Sequence, residues 1–152
     1  MVEPTMIVDA GCCFTLESMG PRPLQKGDVV STRLEVLGNG KQKKSYLHVS
    51  DCVAAMLVAI DEGREAISVY NLGHEDWIDV DASIRIITRT MGVTPRLEYA
   101  GGERGWVGDS PRILLDTKRI KSLGWAPTKS IEESIVETLK FLMANPWAEK
   151  RS

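Results

Sequence analysis

Eight consecutive apolar residues, Val53-Ala54-Ala55-Met56-Leu57-Val58-Ala59-Ile60, constrain this chain more than any other stretch. The run is far shorter than the roughly 18–20 residues that span a bilayer. Ser50 or Asp51, just ahead of it, can cap a helix through a short side-chain oxygen, and Gly63 follows as a natural C′ residue. The pattern predicts a helix from Val53 to Asp61 that is apolar almost all round, and such a helix is buried on several sides. A domain that buries it needs other layers. The chain's 152 residues, 43% hydrophobic and 26% charged, are enough for one domain with a real core.

The remaining elements read from period and punctuation. Leu34-Glu35-Val36-Leu37 predicts a short strand ended by Gly38-Asn39-Gly40, which reads as a hairpin turn. Tyr46-Leu47-His48-Val49 predicts a second strand. Ile67 to Gly73 alternates with period two and predicts a third. Asp79 caps a predicted helix whose face carries Val80, Ile84, Ile87 and Met91, ended by Gly92 and Pro95. Leu97-Glu98-Tyr99 reads as another strand. Asp116 can cap a short helix through Ile120 and Leu123. Ser130-Ile131-Glu132-Glu133 is a capping box opening a helix with Ile131, Ile135, Leu139 and Leu142 on one side. Residues 1–31 contain an apolar patch at Met6-Ile7-Val8 but no sustained period. The element order predicts an α/β (α+β) fold with short strands and about four helices.

A net charge of −2 does not point to nucleic acid or an anionic membrane as partner. The N-terminus has no basic region ahead of an apolar stretch, so no signal peptide is read, and the expected compartment is the cytoplasm. Cys12, Cys13 and Cys52 suit neither a disulfide framework nor a metal site, and read as small hydrophobes. His48 and His74 have no evident nucleophile to serve and read as structural. The cluster Lys41, Lys43, Lys44 is either a solvated charge run or a phosphate clamp. The loop from Gly101 to Pro111 concentrates glycines, Arg104, Trp106 and Asp109 without any period. It is either a long surface connection or a ligand loop, in which glycines admit close backbone approach, Arg104 binds phosphate and Asp109 accepts from hydroxyls.

Five motifs occur in order: residues 34–42, Tyr46-Leu47-His48-Val49-Ser50-Asp51, Val69-Tyr70-Asn71-Leu72-Gly73, the Arg104/Gly108-Asp109 loop, and Leu123-Gly124-Trp125-Ala126-Pro127. Together they resemble the C-terminal portion of the NAD-dependent epimerase/dehydratase family, the UDP-glucose 4-epimerase-like extended short-chain dehydrogenases/reductases. The resemblance covers roughly residues 32–145; residues 1–31 have no recognisable match, and the domain is drawn at 32–147. It implies a partial Rossmann-type epimerase fold whose portion here supplies a nucleotide-sugar site for a UDP- or dTDP-sugar. By resemblance Glu35 and Leu37 lie along the nucleobase, and Lys44 meets the diphosphate where arginine is usual. Tyr46 lines the same pocket, Arg104 holds phosphate and Asp109 contacts ribose, while Asp51 and Asn71 are structural.

The family's hydride chemistry uses NAD, a glycine-rich turn and a Tyr-x-x-x-Lys pair. None of Tyr46, Tyr70 or Tyr99 has a lysine four residues on, and no G-x-G-x-x-G occurs. The expectation is therefore a nucleotide-sugar-binding portion that binds no cofactor, has no catalytic residue and no metal, and is not catalytic alone. A Rossmann half in trans and a homo-oligomer, formed through apolar surface left uncovered on Val53–Ile60 and Ile67–Leu72, are the expected partners. The competing expectation is a structural or regulatory oligomer derived from an epimerase gene.

Overall fold

The computed structural model describes residues 5–8, 14–16, 33–63 and 67–145, the first two segments as backbone only. A four-stranded sheet has the order β2-β1-β3-β6, with β1 at Thr5–Val8, β2 at Phe14–Leu16, β3 at Arg33–Val36 and β6 at Arg96–Tyr99. β3 runs parallel to both β1 and β6, with Leu34 in register with Met6 on one side and Leu97 on the other, while β2 closes against β1 antiparallel. The Met6-Ile7-Val8 patch thus lies in a strand. The predicted 34–37 and 97–99 strands are present, each beginning one residue earlier.

Parallel neighbours need a crossover, and the helix α2, Val80–Met91, lies between β3 and β6 in the chain. Its predicted face is the one buried: Val80 and Ile84 pack on Leu34 and Val36. Both ends match the sequence. Asp79 Oδ1 accepts from the Ala82 N–H at 2.6 Å, and Gly92 takes the left-handed conformation, φ 69°, that glycine tolerates at a C-cap. Helix α4, Ile131–Ala144, packs on α2 and opens with the predicted reciprocal box between Ser130 and Glu133.

The apolar octet departs from expectation. Its helix, α1, spans Val49–Glu62, so it begins four residues early and is capped by His48, whose Nδ1 accepts from the Ser50 N–H at 3.2 Å. Asp51, released from capping, reaches across to the loop after the short helix α3 (Lys118–Lys121). Its carboxylate accepts from Thr128 Oγ1 at 2.6 Å and from the Lys129 N–H at 3.2 Å, and its carbonyl accepts from Trp125 Nε1 at 3.1 Å. Burial raises the Asp51 pKa, but the Thr128 and Lys129 bonds and the charge of His48 outweigh it, so the net shift is downward. α3 itself is preceded by Thr117 as cap residue; Asp116 accepts instead from the Lys118 N–H at 3.0 Å.

α1 is not buried on several sides. Only Ala55 of the octet is fully enclosed, in a second core with Ile120 and Trp125. Val53, Met56, Leu57 and Ile60 face outward, Ile60 being 74% exposed. The 67–73 segment is not a strand, and Ile67 and Val69 are also exposed. An extended segment becomes a strand only beside a partner with which to exchange N–H···O bonds. Among the described residues no strand lies along it, so its period-two pattern has nothing to act on. The same holds for Tyr46–His48: its apolar and aromatic residues are half-buried without a ladder.

Replacing Ser130 with Ala should cost about 1 kcal/mol through loss of the N-cap. Urea unfolding should show a lower midpoint with an unchanged m-value; an unchanged midpoint would mean that the capping box adds nothing.

Candidate functional site

The site is assembled where the turn after β3 meets the glycine-rich loop. Gly38 and Gly40 both have positive φ, 82° and 75°, and at Gly38 any Cβ would sit 1.9 Å from Gln42 Nε2. Asn39 Oδ1 accepts from the Lys41 N–H at 2.9 Å, closing the turn. The turn is not a hairpin, because the strand that follows leaves the first sheet. β4, Lys43–Lys44, pairs antiparallel with β5, Ile78–Asp79. On its other side the Lys43 N–H donates to the Pro111 carbonyl at 2.7 Å, and Lys43 bridges to Arg112. That stitch brings the 104–111 loop alongside Lys44.

Each lysine of the cluster has its own partner. Lys41 Nζ is 2.6 Å from Asp81 Oδ2, whose other oxygen accepts from Tyr99. The Lys43 ammonium sits over the Trp77 ring, 4.7 Å from its centroid. Lys44 Nζ donates to Asp109 Oδ1 and, at 2.8 Å, to the Ser110 carbonyl. The Lys44 and Asp109 side chains are 9% and 2% exposed. The second Asp109 oxygen accepts from the Gly105 N–H at 3.0 Å. Burial alone raises the Asp109 pKa; the Lys44 bond, the Gly105 N–H, the Lys44 charge and the Arg104 charge together outweigh it, so the net shift is downward.

Of the expected site residues, Lys44, Arg104, Asp109 and Leu37 converge. Leu37 Cβ lies 3.4 Å from where a Gly105 Cβ would stand, and the Arg104 carbonyl carbon lies 3.1 Å from the corresponding point at Gly38. Arg104 itself is exposed. Glu35 is half-buried and alternates with the core residues Leu34 and Val36, so it is on the opposite face of β3. Tyr46 is half-buried, two residues beyond Lys44. A residue that pattern reading passed over is Gln42, buried in the middle of the junction with Nε2 donating to the Leu37 carbonyl at 3.0 Å. Its place in the Gly-Asn-Gly-Lys-Gln motif was the available signal.

An open cleft of about 470 Å³ lies apart from this pair, lined by His74, Asp76, Trp77, Ser130 and Ile131. His74 Nδ1 accepts from the Asp76 N–H at 3.1 Å, so both histidines hold backbone. Cys12 and Cys13 fall outside the described residues. Among the described residues no cluster of His, Cys, Asp or Glu could hold a metal, and no helix is long and apolar enough to cross a membrane.

The buried pair has a pH signature. Because the Asp109 pKa lies below the ordinary 3.8, its contribution is fully present above that value and is lost as pH falls through the folded-state pKa. Replacing Lys44 with Met should destabilise by about 3–5 kcal/mol, since it leaves a buried carboxylate unpaired, and adding Asp109→Leu should recover most of that loss. The gap between wild type and Lys44→Met should shrink in unfolding measurements below pH 3.8; a pH-independent gap would place the cost elsewhere.

Residues 22–73 match the family model described as NAD dependent epimerase/dehydratase family. The chain is 28% identical over 123 residues to dTDP-glucose 4,6-dehydratase of Shigella flexneri, covering 76% of this chain and 34% of that protein. It is 27% identical over 110 residues to a putative UDP-glucose 4-epimerase of Methanocaldococcus jannaschii, covering 72% and 34%. Among solved structures, UDP-glucose 4-epimerase of Thermotoga maritima with UDP-glucose superposes with a TM-score of 0.67 at 25% identity, over 76% of this chain and 36% of that one. A UDP-galactose 4-epimerase does so with a TM-score of 0.64 at 30% identity over the same shares. The chain spans about a third of the length of the curated relatives it matches. In sequence and in fold, this chain is similar to a part of the members of the NAD-dependent epimerase/dehydratase family.

Proposed function

We propose that this chain is the nucleotide-sugar-binding, C-terminal portion of an NAD-dependent sugar epimerase or dehydratase, and that it does not carry out hydride chemistry alone. The observation that carries this reading is the junction of Lys44, Arg104 and Asp109, built from two segments 65 residues apart and joined by a buried ion pair. A diphosphate needs fixed positive charge and backbone donors. Arg104, exposed and close enough for its charge to act on Asp109, is the group positioned to meet the anion first. Lys44, already satisfied by Asp109 and Ser110, contributes field rather than a free donor. Glu35 on β3 and Leu37 just after it are the flanking contacts for the base, and Tyr46 beyond β4 lines the same pocket.

Hydride transfer needs a bound nicotinamide and a positioned base. The 152 residues contain no Tyr-x-x-x-Lys pair and no G-x-G-x-x-G turn. NAD is accordingly assigned to a Rossmann half acting with this chain, in the compartment expected from the sequence, the cytoplasm. The outward face of α1 together with Ile67 and Val69 is the surface assigned to that half or to a second copy, since contiguous exposed apolar area favours association. The second reading, a structural or regulatory oligomer without a ligand site, is favoured by one observation: Lys44 and Asp109 already satisfy each other.

Calorimetric titration separates the two. UDP-glucose should bind and NAD should not, and Arg104→Ala should weaken UDP-glucose by about 1–3 kcal/mol, as expected for a charge-assisted bond. Failure of both titrations would leave only the structural reading, and unchanged affinity in Arg104→Ala would remove that residue from the site. Leu57→Lys with Ile60→Lys, both exposed, should leave monomer stability within about 0.5 kcal/mol while lowering the assembled mass seen by light scattering. An unaltered mass would rule out α1 as the assembly surface.

A further inference from the structure

We propose that Gln42 is the positioning residue of this anion site, its carboxamide holding the Gly105 loop in register with the turn after β3. The side chain is 1% exposed. Nε2 donates to the Leu37 carbonyl at 3.0 Å and stands 1.9 Å from the point a Gly38 Cβ would occupy. The same nitrogen is 3.5 Å from the corresponding point at Gly105, whose own N–H is bound to Asp109. Gly38 is therefore fitted to the amide, and Gly105 lies at ordinary packing distance from it. Its main chain is tied as well, the carbonyl accepting from Val80 at the start of α2 at 3.1 Å.

Among the described residues Gln42 Oε1 is buried and meets no donor. An apolar side chain of the same length would avoid that orphan, so the amide is explained by what Nε2 holds rather than by packing. Through Leu37 and Gly38 it fixes one wall. Through Gly105 it fixes the loop that carries Arg104 and Asp109 to Lys44. Loss of the amide should free the loop while leaving both cores intact.

The test is amide-resolved hydrogen exchange on the full chain, comparing wild type, Gln42→Met and a control, Ile135→Ala, on α4. In Gln42→Met, exchange at the Gly105 amide should accelerate about tenfold more than exchange at α4 amides, because the opening is local. In the control both should change together. A Gly105 change no larger than the α4 change in Gln42→Met would overturn the proposal. If Gln42→Met does not fold, Gln42→Asn, which keeps the amide one methylene short, is judged by the same comparison. The proposal rests on the anion-site reading only for its ligand arm, a titration with UDP, where Gln42→Met should lose affinity about tenfold, or 1.4 kcal/mol. Wild-type chain that binds no UDP would overturn the site reading, and the exchange comparison would still decide the role of Gln42.

Discussion

The buried bond between Lys44 and Asp109 is the interaction on which the site depends. Two charges removed from water cost several kcal/mol each, and only good geometry with further hydrogen bonds offsets that cost. Here the further bonds come from backbone: the Ser110 carbonyl for the ammonium and the Gly105 N–H for the carboxylate. Both belong to the loop that the pair holds. The main-chain bond from Lys43 to Pro111 then keeps the loop against the strand. Arg104 is delivered to the surface as a consequence, one residue before the amide that Asp109 grips.

The second constraint is apolar. Among the described residues there are two small cores, one between the sheet and α2 and one around Ala55, Ile120 and Trp125. Neither covers the outward face of α1. Asp51 instead uses that helix as a fixed post for the loop containing Trp125 and Thr128, so α1 is well anchored on one side and bare on the other. The matched relatives are about three times as long as the part this chain covers. A helix anchored in this way presents its free face as a rigid surface.

Helices whose ends are written in local chemistry are legible in the sequence itself. Asp79 with Gly92, and Ser130 with Glu133, each specify a boundary through bonds made within one turn, and the faces between them follow from the 3.6-residue period. The strands expected at Tyr46–Val49 and Ile67–Gly73 are absent, because a strand exists only through a neighbour and the pattern of one segment says nothing about whether that neighbour is present. The apolar octet misleads for a related reason: composition shows that a face wants cover but not that the cover is in the same chain. At the site, Lys44, Arg104 and Asp109 stand out in the sequence as a lysine cluster and a glycine-rich loop, each with a bland alternative, and only the order of family motifs links them. Their union, and the burial of Gln42 between them, depends on β4 pairing with β5 and on the loop folding back. Those contacts join distant stretches of chain, 65 residues apart for the ion pair, and no local pattern encodes them.

On this reading the junction of the 37–44 segment with the 104–110 loop receives the phosphates of a nucleotide sugar. A ¹H–¹⁵N correlation spectrum of the chain, titrated with UDP-glucose, reports on that junction residue by residue. Saturable shifts confined to the amides of Leu37 to Lys44 and Arg104 to Ser110 are expected. Saturable shifts confined to the separate cleft around His74 and Trp77, or no shift at any amide, would refute the assignment.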